Sequence, residues 1–151
     1  MLLLWDGHPA RFIHKLLQIT MSTPLIIEAE ILAICPNFKE WNKEHNWWTT
    51  DDGNFTLYGL FAAFSHYILD CLIQDLYSET EMIKVFNFIE SKMIKEDFDV
   101  YNAVATCFLE NLMNNRINIT SSNKFIPLLG ANSREFCQAW DDRPEIWAES
   151  S

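Results

Sequence analysis

The chain has 151 residues, 49% of them apolar, with 11 Lys and Arg against 21 Asp and Glu, a net charge of −10. A single domain of this length buries roughly two-thirds of the surface its unfolded chain exposes, without disulfide or metal staples. The composition excludes a disordered chain. The charge argues against nucleic acid and anionic lipid as partners, because their phosphates would be repelled.

The first 21 residues carry Arg11 and Lys15 against Asp6, a balance of +1, which leaves the remaining 130 residues at −11. An acidic surface of this size draws in a cationic partner and speeds the encounter. Its simpler service is solubility. Cys35, Cys71, Cys107 and Cys137 form no C-x-x-C pair. They read as packed thiols in a reducing compartment, and a cytoplasmic location is expected.

Residues 1–20 read as an N-terminal extension, outside a single helical domain spanning 21–151. The start Met1-Leu-Leu-Leu-Trp5 lacks a basic leader and is interrupted by Asp6-Gly7-His8-Pro9, so it does not read as a signal peptide. Phe12, Ile13, Leu16, Leu17 and Ile19 could form one face of a short amphipathic helix. No apolar run reads as long enough to span a membrane.

Ser22 or Thr23 before Pro24 opens a helix that stops at Ile34, ahead of Pro36. Asn37 begins a short helix over Phe38 to His45. A polar loop with Trp47, Trp48, Asp51, Asp52 and Gly53 follows. Asn54 or Thr56 opens the strongest helix, running to Tyr77, with Leu57, Leu60, Phe61, Phe64, Ile68, Leu72 and Leu76 inward at intervals of threes and fours. Ser78-Glu-Thr-Glu81 is a capping box starting a helix that carries Ile83, Phe86, Ile89, Met93 and Ile94. Asp97 or Asp99 caps the next, with Val100, Val104, Cys107, Phe108 and Leu112 inward, ending at Asn114-Asn115.

A Ser/Asn-rich loop reaches Asn123. Lys124 to Leu129 makes a turn or two closed by Gly130. Asn132-Ser-Arg-Glu135 reads as a second capping box, opening a helix with Phe136, Ala139 and Trp140 and with Pro144 as its stop. In the loose tail only Trp147 docks. The fold class is therefore all-α, a single compact multi-helix domain. Cys71 to Tyr77 and Cys107 to Met113 match by class at every position, which would suit stacked, HEAT-like helical hairpins. The plainer account is that two buried helices need similar residues.

Little in the chain spells out chemistry. His45 and His66 are isolated, Glu28 and Glu30 face different sides of a helix, and no ligand spacing suits a metal. Ser65 and His66 are neighbours that cannot face each other on a helix, no G-x-S-x-G elbow exists, and no glycine-rich phosphate loop is present. The expectation is no enzyme, no metal and no cofactor. The remaining signal is at the surface. Acids cluster at Asp51-Asp52, at Glu96-Asp97 with Asp99, and at Asp141-Asp142 with Glu145. Trp47-Trp48 accompany the first, Trp140 and Trp147 the last. Aromatic anchors ringed by charge have an interface composition, and these twelve residues are the candidate partner-binding set. For each alone a duller role exists, such as helix capping by Asp97 or core packing by the tryptophans.

The run Asp99-Val-Tyr-Asn-Ala-Val-Ala-Thr-Cys-Phe-Leu-Glu-Asn-Leu112, with Pro36-Asn-Phe38 upstream and Phe125-Ile-Pro-Leu-Leu-Gly130 downstream, resembles small acidic α-helical immunity proteins of bacterial polymorphic and contact-dependent toxin systems. The resemblance covers residues 25 to 130. It implies a protein that binds and neutralises a cognate toxin domain, a basic nuclease being the expected target, and it carries over no individual functional residue. Two other classes stay open: an adaptor module taking a peptide in an apolar groove, and a small hydrolase whose site assembles only in space.

Overall fold

The computed structural model describes residues 23–45, 54–115 and 124–147. The expected N-terminal amphipathic helix and the Trp47–Gly53 and Ser/Asn-rich loops lie outside them. Among the described residues there is no strand, and the all-α class holds. Helix α1 spans Thr23–Ile34 and α2 Phe38–His45, separated by the Pro36 turn as the sequence predicts. Helix α3, Leu57–Gln74, is the centre of the fold. Thr56 Oγ1 accepts from Gly59 N at 3.0 Å to start it. Asp75, in the left-handed conformation at φ 56°, ends it, and Lys124 Nζ donates to Leu72 O and Asp75 Oδ1, both at 2.9 Å. A cation there offsets the exposed carbonyls and the negative end of the helix dipole.

By length and hydropathy α3 could cross a bilayer, a property the sequence reading missed, but 67% of it is buried inside the domain. It packs against α1, α2 and the helix Phe98–Asn114. That last element is composite: α5 (Phe98–Ala103), a π-helical segment (Val104–Leu109) and α6 (Glu110–Asn114). Helix α4 (Glu79–Lys92) lies on α1 and carries α7 (Ala131–Trp140), with a 3-10 turn at Ile126–Leu128 between them. Ser78 Oγ caps α4 by accepting from Glu81 N at 3.0 Å, one half of the expected capping box. A short α8 (Pro144–Trp147) closes the described chain.

An aromatic chain runs through the core. Phe38 of α2 meets Phe64 of α3 edge-on at 5.5 Å, Phe64 stacks on Phe108 at 5.5 Å, Phe108 meets Phe86 of α4 at 6.1 Å, and Phe86 stacks on Phe125 at 6.4 Å. All five rings are fully buried, so one hydrophobic core links α2, α3, α4 and the π segment.

Several expectations are corrected. Helix α3 stops at Gln74, not Tyr77, and Leu76 is 68% exposed rather than buried. Helix α4 buries Met82, Val85, Phe86, Phe88 and Ile89, so Ile83 and Ile94 face outward. Cys107 is only half-buried. The two seven-residue echoes are not structural repeats: Ile73 and Leu76 are exposed where Leu109 and Leu112 are buried, and one copy crosses a helix end while the other contains π backbone. A central α3 touching both α1 and the helix Phe98–Asn114, neither of them next to it in the chain, is also unlike a solenoid, whose repeats touch only their neighbours.

The second capping box does not form. Gly130 holds the cap position of α7 with no side-chain capping bond from within the chain segment. Instead Glu90 of α4 supplies it: Asn132 N and Ser133 N donate to its two carboxylate oxygens at 2.9 Å, and Ser133 Oγ donates at 2.8 Å. A Cβ on residue 130 would fall 2.4 Å from Glu90 Cγ, so only glycine lets the carboxylate approach this closely. Pro144 likewise stops nothing, since α7 has already ended at Trp140; it opens α8, where a missing N–H is harmless.

Candidate functional site

The segment Met93–Asp97 joins α4 to α5 and passes in front of α7. Asn132 Nδ2 donates to Met93 O at 3.3 Å and ties the two together. Because Glu90 fixes the start of α7 on α4, a groove opens between that segment and the outer face of α7. Its volume is about 500 Å³, and Ile94, Glu96, Tyr101, Glu135, Phe136 and Ala139 are among its lining residues. A second cleft, also about 500 Å³, shares Ile94 and Glu96 with it and extends to Asp97 and Val100. A third, of about 360 Å³, shares Asp97 and Val100 with the second and reaches α1 at Thr23 and Ile26. The second cleft shares residues with each of the others, so the three are neighbours around the Ile94–Asp97 segment, called the trough below.

The sequence-derived candidates distribute unevenly around it. Glu96 lines the groove and Asp97 the adjoining clefts, both exposed. Asp97 holds the cap position of α5, where its carbonyl accepts from Tyr101 N at 2.9 Å, yet its carboxylate makes no capping bond. The duller capping role is therefore not what its side chain does. Asp99 is exposed in the first turn of α5, favourably placed against the helix dipole. Trp140 follows Ala139 at the end of α7 and is 38% exposed. Asp142 is exposed beyond it.

Two candidates are turned inward. Trp147 is only 8% exposed; its Nε1 donates to Asp141 O at 2.7 Å and Arg134 lies 5.5 Å from its ring centroid. The Asp141 carboxylate is clasped by Arg143 at 2.9 Å. These contacts fold the tail down onto α7, a packing role for both residues, as the docking of Trp147 foresaw. Trp47, Trp48, Asp51 and Asp52 lie outside the described residues, as does the Glu145 side chain.

The sequence reading missed Ile94, Tyr101, Glu135, Phe136 and Ala139 as groove residues. It named Ile94, Phe136 and Ala139 only as apolar positions of their helices. The buried stripe of α7 is in fact Ser133 and Cys137, one turn apart, and both small. The signal was present as that i, i+4 pair, but two small residues carry less weight in a hydrophobic pattern than a Phe and a Trp.

A separate cleft of about 460 Å³ lies between α2 and α3, with Trp41, Glu44, His45, Tyr67, Asp70 and Cys71 among its walls. It is the place where a spatially assembled hydrolytic site would be sought. Its groups are occupied with one another. Trp41 Nε1 donates to Asp70 Oδ2 at 2.9 Å, the His45 ring stacks on Trp41 with centroids 4.1 Å apart, and His45 Nδ1 lies 2.8 Å from Trp41 O. Burial raises the Cys71 pKa, which keeps the thiol protonated rather than nucleophilic. Burial also pushes Cys35 and Cys137 up to about 12. No group of three or more His, Cys, Asp or Glu among the described residues is arranged to hold a metal ion.

Fold and surface together define a small all-α domain with an acidic, partly apolar trough along one face. The chain belongs to the family described as Domain of unknown function (DUF7674), which matches residues 28–148 and so takes in every described helix except the first turn of α1. No curated protein and no solved structure matches it.

Proposed function

We propose that this domain acts by binding, as an immunity protein that neutralises a cationic toxin domain, with a nuclease as the expected target. The observation that carries the reading is the trough, where the Glu96-Asp97 cluster and the Trp140-bearing helix α7 share one face. Two acids of the Glu96-Asp97-Asp99 cluster thus border these clefts, Glu96 in the one that Phe136 and Ala139 of α7 line, and Trp140 follows Ala139 in the chain. Such a face suits a basic protein: charge steers the encounter and the exposed apolar groups slow release. The resemblance of Asp99–Leu112 to immunity proteins supports the same reading. The exposed Ile94 and half-buried Phe136 favour, as a second reading, an adaptor taking an apolar helix, whose binding would be insensitive to salt.

The test is co-expression with the product of the gene immediately upstream. The immunity reading expects that product to arrest growth alone, the arrest to be relieved by this chain, and a 1:1 complex to co-purify. A toxic product that this chain neither relieves nor binds contradicts it.

A further inference from the structure

The trough has a composition that specifies what it takes. Of the large apolar side chains left exposed in the described structure, Ile94 (49%) lines it, while Phe98 (67%) and Trp140 each adjoin one of its lining residues along the chain. Its carboxylates are Glu30, Glu96, Asp97 and Glu135, of which Glu30 is paired with Lys92. Of its two lysines, Lys92 is already neutralised by Glu30 at 3.0 Å, so Lys95 alone stands against three acids. Successive clefts share residues around the Ile94–Asp97 segment, so the apolar and acidic groups neighbour one another.

We infer that this trough is the docking site for a cationic amphipathic helix of the partner protein, laid along α7 with its apolar side on Ile94 and Phe136 and its basic side toward Glu96, Asp97 and Glu135. The inference rests on the partner-binding reading above and adds the place and the chemistry of recognition. Charge complementarity selects the occupant: an apolar helix of acidic character would bring its carboxylates against three others, and a second copy of this net −10 chain would do the same.

The experiment uses the full chain and two fluorescein-labelled amphipathic peptides of about 16 residues, one Leu/Lys and one Leu/Glu with the same helical spacing. Anisotropy is followed for the natural chain and for Ile94→Asp, Glu96→Lys with Glu135→Lys, and Glu79→Lys. Glu79 lies in the first turn of α4, at the opposite end of that helix from the trough, and its reversal controls for bulk charge. Circular dichroism checks that each variant is folded. The inference expects the Leu/Lys peptide to bind, with affinity falling at least about tenfold in Ile94→Asp and in the double variant, and little in Glu79→Lys. It is overturned by equal binding of both peptides, by equal losses in all variants, or by absence of binding. It is also overturned if binding appears only after removal of residues 1–22, which would make that segment the occupant, or only on dilution from a dimer. Growth rescue that survives the double variant would leave the immunity reading standing and remove this site from it.

Discussion

His66 sits on the central helix beside a cluster of buried rings, half-buried itself. Burial holds its pKa below the usual imidazole value, against the opposing pull of Asp70. The unfolded chain therefore binds this proton more tightly than the folded one. The stability that neutral His66 brings is complete above the unfolded value of about 6.5 and is lost as the pH falls below it toward the lowered folded value. The urea midpoint should drop between about pH 7.5 and pH 5.5, and His66→Gln should flatten that drop. An unchanged slope in the variant would contradict the assignment. The sequence showed a lone histidine in an apolar helix and suggested a packed one. That it is only partly covered depends on which neighbours reach it, and no local pattern records that.

At the scale of elements, the attachment of α7 to α4 sets the groove. Three donors from the start of α7 converge on the Glu90 carboxylate, which fills the role the sequence had assigned to Glu135. Charge-assisted bonds to a half-buried acid count for more than a surface pair. Glu90→Ala should cost about 1–3 kcal/mol in chemical denaturation. Gly130→Ala, by driving a methyl group into Glu90, should go the same way, and hydrogen exchange should speed up in α7 before the rest of the domain. A loss spread evenly over all helices would argue against this local lock. Forty-odd residues separate Glu90 from its partners, so a capping pattern read along the chain could only find the local candidate.

The composite helix Phe98–Asn114 shows a second limit of periodicity. From Val104 onward its buried positions fall in pairs four apart: Val104-Ala105, Phe108-Leu109 and Leu112-Met113. An α-helix would rotate such pairs steadily away from the core. The wider π turn keeps them in line, and Glu110 N reaches back five residues to Ala105 O. Side chains support it: Thr106 Oγ1 donates to Asn102 O at 2.7 Å, and Asn111 Nδ2 donates to Cys107 O at 2.8 Å and to the buried Ser65 Oγ at 3.0 Å. Reading the segment as an ideal helix recovered Val100, Val104, Phe108 and Leu112 but missed Ala105, Leu109 and Met113. By contrast the bounds of α1 and α2 were fully legible, because Pro24 and Pro36 punctuate them through local sterics alone.

For the whole molecule, the proposed function rests on charge and on one face. The all-α class followed from spacing, and the acid clusters were visible as residue types. Which acids share a surface was not visible, since that depends on how α7 lies across the Met93–Asp97 segment. Asp141 and Trp147 looked like surface anchors yet hold the tail in place, while Ile94 looked like one apolar helix position among others yet lines the groove. The measurement that tests the central claim most directly is stopped-flow association of the full chain, across a range of salt, with the toxin domain that the proposed function expects to co-purify. The account predicts an association rate that falls steeply as salt rises and falls again in Glu96→Lys and Asp142→Lys, with dissociation changed much less. Rates indifferent to both salt and charge reversal would contradict it.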